Sequence, residues 1–246
     1  LKELQKEHAD DVKQVCALTI DEQRLFEEFL SRPGRYNRWY PVFIVMLWTG
    51  MRVGEVIGLQ WEDIDFDNNQ IHVEHTLEYY DIGLDEGSTY AMNPPKTKNS
   101  IRVVPMLPIV KEAFFLEKER QEAFGIKCEV NIDGFSNFVF LNDHGGVHSH
   151  KRLNYRLKTI RKAINAYIAK NGNEYGIKEF PHVHNHMLRH TFATRMREAG
   201  TDIKATASIL GHNDIAITLY TYTDASQEFK SREISVLDDY YCHNAG

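Results

Sequence analysis

The chain has 246 residues, 42% hydrophobic and 26% charged, the composition of an ordinary folded protein able to bury a core without disulfide staples, which excludes disordered and collagen-like chains. The longest apolar stretch, Val42 to Trp48, is too short to span a bilayer, and Cys16, Cys128 and Cys242 are scattered and form no CxxC pair, so the expected setting is a reducing cytoplasm with no membrane partner. Net charge is −6, yet seven of the 29 Lys and Arg and none of the 35 Asp and Glu lie in residues 151–170, leaving −13 on the rest; such a concentrated basic element still attracts a polyanion, because the field at the contact decides and not the sum.

The first residues, Leu1 to Glu7, hold no apolar signal core, and a start without Met reads as a fragment. Thr19 to Glu22 has the form of a capping box, a hydroxyl residue followed three positions later by Glu, and predicts a helix carrying Phe26 and Leu30 that stops at Arg32-Pro33-Gly34. A buried helix is expected from Pro41 to Thr49-Gly50, and another from Arg52 to Leu59. Ile71, Val73, His75 and Leu77 alternate with polar residues and predict one strand. Residues 80–100, with Gly, Asp, Ser and two prolines, read as a loop before a second strand, Ile101 to Met106. Further on, residues 109–124 read as a helix and Phe138 to Leu141 as a short strand. In the basic segment Leu153, Leu157, Ile160, Ile164 and Ile168 form one helical stripe, which leaves the cations on the other face. Two helices are expected at 189–199 and 201–211, and Ser226 to Tyr241 has the pattern of one more. The expected fold is therefore α+β, mainly α-helical, with a small antiparallel sheet.

Chemistry concentrates in four blocks: TGMRVGEVIGLQW (49–61), PKTKNSIRVVP (95–105), HMLRHTFAT (186–194) and LGHNDIAITLYTYTD (210–224). His186 and Arg189, three apart, share a helix face, as do Arg52 and Glu55. Each pair alone is weak, and an Arg52–Glu55 surface ion pair is the ordinary alternative. In this order, the blocks resemble the tyrosine recombinase/phage integrase family from about Thr19 to Tyr222. The resemblance implies a tyrosine-recombinase-like catalytic domain over 19–224, a linker from a missing N-terminal DNA-binding domain over 1–18, and a C-terminal tail over 225–246 that serves as an exchange helix. It also implies double-stranded DNA as partner, a tetramer on paired DNA sites, and strand cutting and rejoining through a 3′-phosphotyrosine for integration or excision of a mobile element.

Cutting a phosphodiester without metal requires a nucleophile, neutralisation of the phosphate and a proton for the leaving oxygen. Arg52 and Arg189 can place forked, charge-assisted bonds on the non-bridging oxygens, which Lys cannot reproduce. By resemblance, Lys96 is the general acid, with Lys98 as the alternative; His186 is a proton-transfer partner, His212 a further phosphate ligand and Glu55 the acidic residue that orients the site. Tyr222 is expected as nucleophile, with Tyr220 as the close alternative. Neither a cofactor nor a metal is expected, although His182, His184 and His186 alternate as strand-borne zinc ligands would. Lys98, Lys151, Arg152, Arg156, Lys158, Arg161 and Lys162 are the candidate DNA contacts. Two other readings stay open at this point: a type IB topoisomerase-like nicking-closing enzyme, and a non-catalytic helical DNA-binding module.

Overall fold

A computed structural model describes residues 17–83, 87–94 and 100–212. The first helix, α1 (Ile20–Ser31), opens on the expected capping box: the Thr19 hydroxyl accepts from the Glu22 N–H at 3.2 Å, and the Glu22 carboxylate accepts from the Thr19 N–H at 2.7 Å. Helix α2 (Tyr40–Thr49) is buried along nearly its whole length and forms the centre of the core. It stops at Gly50, whose φ of +63° is left-handed. A Cβ at Gly50 would sit 2.4 Å from Cδ1 of Phe192, so this turn admits glycine only. Helix α3 (Val53–Ile57) follows at once, with Arg52 as its N-cap residue. Just ahead of α1, Leu18 is fully buried and its N–H donates to the Thr191 hydroxyl at 3.0 Å.

The small sheet is antiparallel, in the order β1 (Ile64–Asp65), β2 (Gln70–Val73) and β5 (Arg102–Pro105), with Ile71 opposite Val104 and Val73 opposite Arg102. Between β2 and β5 the chain departs from the sequence reading. The strand expected over 71–77 breaks at Glu74 and His75, and the expected loop contains a separate two-stranded hairpin, β3 (Thr76–Gly83) and β4 (Gly87–Asn93). Cross-strand contact of Tyr79 and Tyr90, with ring centroids 5.1 Å apart, supports this hairpin. Lys96 and Lys98 lie outside the described residues, after the hairpin.

Helix α4 (Pro108–Phe124) packs on α2. Phe138 to Leu141 is buried, but it makes isolated bridges, Gln60 to Phe138 and Leu141 to Val147, rather than a strand. Its partner segment turns at once into a 3₁₀ helix at Trp61–Asp63, so the ladder ends after one rung. Helix α5 (His150–Asn171) buries all five residues of the predicted stripe. Helix α6 (Asn185–Glu198) starts four residues earlier than the sequence indicates, because His184 caps it: its Nδ1 accepts from the Met187 N–H at 3.0 Å. That start puts His186 in the first turn. Helix α7 (Ile203–Leu210) is capped by Asp202 and closes on Gly211, left-handed at φ +67°. Among the described residues no helix is long and apolar enough to cross a membrane. The expected tail helix, Tyr220 and Tyr222 fall outside the described residues.

Candidate active site

A helix ends with carbonyls that no intrahelical N–H can reach, and its C-terminus carries partial negative charge. At the end of α7 three consecutive carbonyls each receive a different guanidinium. Arg102 Nε donates to Ile209 at 2.6 Å, Arg189 Nη2 to Leu210 at 2.7 Å, and Arg52 Nη2 to Gly211 at 3.1 Å. These arginines come from three elements: Arg52 from the N-cap of α3, Arg102 from the start of β5, and Arg189 from the middle of α6. Arg189 also donates through Nη1 to the carbonyl of Gly50 at 2.7 Å, which ties the α2–α3 turn to the same centre.

Glu55 is the counter-ion. One of its oxygens accepts from Arg52 Nη1 at 2.8 Å and Arg102 Nη1 at 3.1 Å, and the other from the Arg52 backbone N–H at 2.7 Å and Arg102 Nη2 at 2.9 Å. The Glu55 side chain is 3% exposed and that of Arg102 5%, whereas Arg52 remains 42% exposed. Burial alone would raise the Glu55 carboxyl, but its bonds to Arg102 and the charges of Arg102 and Arg52 outweigh it and hold the group below the ordinary range. Burial, then the neighbouring Arg52, draws the Arg189 guanidinium down to about 9, still charged at neutral pH.

The imidazoles beside this centre are held neutral. His212 follows Gly211 directly, and its backbone N–H donates to Ala207 at 3.0 Å. Burial, then Arg189, Arg52 and Arg102, lowers it to about 4. His186 is lowered too, by burial and then by Arg189. Its ring meets His190 edge-on at 4.4 Å, and His190 is lowered to about 4 by burial, His186 and Arg189. A neutral imidazole can take up a proton at pH 7, which an imidazolium cannot.

Thus Arg52, Glu55, Arg189 and His212 converge on one helix end, and His186 faces the same two arginines. His182 and His184 stand 6.2 Å apart, and among the described residues no group of three or more His, Cys, Asp or Glu is arranged to hold a metal. Lys151, Arg152, Lys158 and Lys162 are exposed on α5. Arg156 is half-buried over the Trp39 ring at 5.2 Å, and Arg161 is bound to the Phe180 carbonyl and to Glu179. The sequence reading missed Arg102. It stands inside the quoted block 95–105, but alternation does not say which strand face turns inward. Here Ile101 and Val103 are exposed while Arg102 and Val104 point in.

Residues 21–228 match the phage integrase family. The chain belongs to that family. It is 31% identical over 233 residues to the transposase of transposon Tn916 from Enterococcus faecalis, a match covering 93% of this chain and 53% of that protein. It is 30% identical over 212 residues to a XerC-like tyrosine recombinase from Caldanaerobacter subterraneus subsp. tengcongensis, covering 83% of this chain and 50% of that protein. The phage integrase chain therefore spans about half the length of these curated relatives. Among solved structures, the Tn1549 transposon integrase in complex with transposon right end DNA superposes with a TM-score of 0.76 at 30% identity, over 93% of this chain and 68% of that one. The mainly helical α+β fold with its small antiparallel sheet is thus shared with an integrase of a mobile element.

Proposed function

We propose that the chain is the catalytic domain of a site-specific tyrosine recombinase that cuts and rejoins double-stranded DNA for integration or excision of a mobile element, in the cytoplasm. The convergence of Arg52, Arg189 and His212 on the end of α7 carries this reading. The Tn1549 integrase, solved with DNA, supports the choice of partner.

In the proposed step the phenolic oxygen of Tyr222 attacks phosphorus and gives up its proton, with His186 as the acceptor. Arg52, Arg189 and His212 bind the non-bridging oxygens as charge builds, and preorganised donors of this kind are each worth roughly 3 to 4 kcal/mol. The bond from phosphorus to the 5′ oxygen breaks, and Lys96 supplies the proton that makes a 5′ hydroxyl. The 3′-phosphotyrosyl ester conserves the bond energy, so a second 5′ hydroxyl reverses the attack without a nucleotide cofactor. The guanidinium forks supply the neutralisation that a metal otherwise would. Lys98, Lys151, Arg152, Arg156, Lys158, Arg161 and Lys162 contact the DNA backbone. Four protomers assemble on paired sites, joined through the tail at 225–246, and residues 1–18 lead from an N-terminal DNA-binding domain.

The test is covalent capture on nicked duplexes from a randomised pool, in chelator. An adduct that survives denaturant, and is lost in Tyr222→Phe but kept in Tyr220→Phe, supports the assignment; the reverse pattern moves the nucleophile by two residues. No adduct with any duplex refutes the enzyme and leaves a DNA-binding module.

A further inference from the structure

We infer that Arg102 is a positioning residue of the phosphate site, acting through Glu55 and through the last turn of α7. This inference rests on the proposed recombinase chemistry, and it goes beyond it in naming a residue with no direct part in the reaction. Of the five N–H bonds of a guanidinium, Arg102 spends four on the protein: Nε on the Ile209 carbonyl, Nη1 on Glu55 and the Ser100 carbonyl, and Nη2 on the other Glu55 oxygen. Its side chain is 5% exposed. A group so committed has no fork to offer a phosphate.

Its three attachments join three parts of the site. The Glu55 bonds fix the carboxylate that in turn holds the Arg52 guanidinium and backbone N–H. The Ile209 bond fixes the carbonyl row on which Arg189 and Arg52 also rest. Gly211 lies directly on the Arg102 guanidinium: a Cβ there would come within 2.9 Å of Nη1. The position of Gly211 determines where His212 starts, so Arg102 sets the spacing between the arginine pair and that imidazole. A lysine would keep the charge but could not span Glu55, Ser100 and Ile209 at once.

The experiment compares the chain with its Arg102→Lys variant on the nicked duplex that the unmodified chain captures best. Adduct formation at saturating DNA is expected to fall about 10- to 100-fold, as misplacement of reacting groups typically does, while Kd for the duplex stays within about threefold. Arg102→Lys combined with Glu55→Gln should lose less than the product of the two single losses, because the Arg102–Glu55 bonds are common to both, and more than Glu55→Gln alone, because only the Arg102 variant also frees the Ile209 carbonyl. Hydrogen exchange, which requires no DNA, should show loss of protection at the Gly211 and His212 amides with α6 still protected. Gly211→Ala, which removes no charge, should reproduce the split between rate and Kd, and it carries the test if Arg102→Lys does not fold.

An Arg102→Lys or Gly211→Ala rate within about twofold of the unmodified chain overturns the inference, as does a Kd that weakens in step with the rate, which would make Arg102 a direct phosphate ligand. Unchanged exchange at Gly211 and His212 also overturns it. Absence of any adduct from the unmodified chain refutes the recombinase reading instead, and the exchange measurement still decides whether Arg102 holds α7.

Discussion

Replacing Glu55 with Gln keeps the shape of the side chain and removes its charge. The carboxylate is 3% exposed and accepts four N–H bonds, two of them from Arg102, itself 5% exposed. The amide retains one acceptor oxygen and turns an NH₂ group toward a guanidinium. Breaking a buried pair on one side typically costs about 3 to 5 kcal/mol, because the remaining charge stays buried without its counter-ion. The share belonging to Arg52, which reaches solvent, adds at most about 1 kcal/mol, and the bonds kept by the amide oxygen return about 1 kcal/mol. The expected loss is therefore about 2 to 5 kcal/mol, read in urea unfolding as a lower midpoint at unchanged m. Glu55 is held below its ordinary 4.5 in the folded chain. Its contribution is then complete above that value and fades as pH falls through the lowered folded value, so the difference between the two proteins should be flat near neutrality and shrink in acid. A loss under about 1 kcal/mol at pH 7, or a difference that grows in acid, would refute the picture of Glu55 as the counter-ion of this site.

Arg52→Lys and Arg189→Lys should each bind DNA near normally while losing roughly 3 to 4 kcal/mol of transition-state stabilisation, measured as single-turnover adduct formation; cleavage at the unmodified rate by either would remove that residue from the phosphate clamp. Gly50→Ala places a Cβ 2.4 Å from Phe192 Cδ1 and 2.8 Å from Leu210 Cδ2 at φ +63°, so denaturant unfolding should show a loss of about 2 to 4 kcal/mol from overpacking and left-handed strain together. Burial, then the arginines around it, lowers His148 to about 3, and His190 and His212 lie at about 4, against 6.5 when unfolded. All three are neutral in the folded chain, so stability should decline as pH drops from 6.5 toward 4. Because His148 Nδ1 has no hydrogen-bond partner among the described residues, His148→Phe should flatten that decline without loss at pH 8; an unchanged slope would contradict it.

What was legible in the sequence was mostly local. The Thr19–Glu22 box and the Leu153-to-Ile168 stripe each act within a few turns of one helix, and both form as read. The strand expected at Phe138 to Leu141 reduces to isolated bridges, because an apolar run records burial and says nothing of a partner's length. The β3–β4 hairpin was hidden by Gly, Ser and Thr, residues that also make loops, and the start of α6 by a histidine cap where Ser, Thr, Asp or Asn is usual. In the site, Arg52, Glu55, Arg189 and His212 stood out through their ordered blocks. Arg102 did not, since its inward orientation follows from pairing with Val73 across the sheet, a register that no local pattern encodes.

The bonds that close the site join residues very far apart along the chain. Arg52 and Gly211 are separated by 159 positions, Arg189 and Gly50 by 139, and Arg102 and Ile209 by 107. Each such closure exacts its entropy before any contact compensates it. During synthesis, which proceeds from the N-terminus, α1, α2 and the sheet can collapse while the end of α7 is still being made. Arg52 and Arg102 then wait beside Glu55 with no carbonyl row to rest on. A nascent chain released before the end of α7 holds most of the core, but its Arg52, Arg102 and Arg189 have no carbonyl row to gather them into one cationic centre.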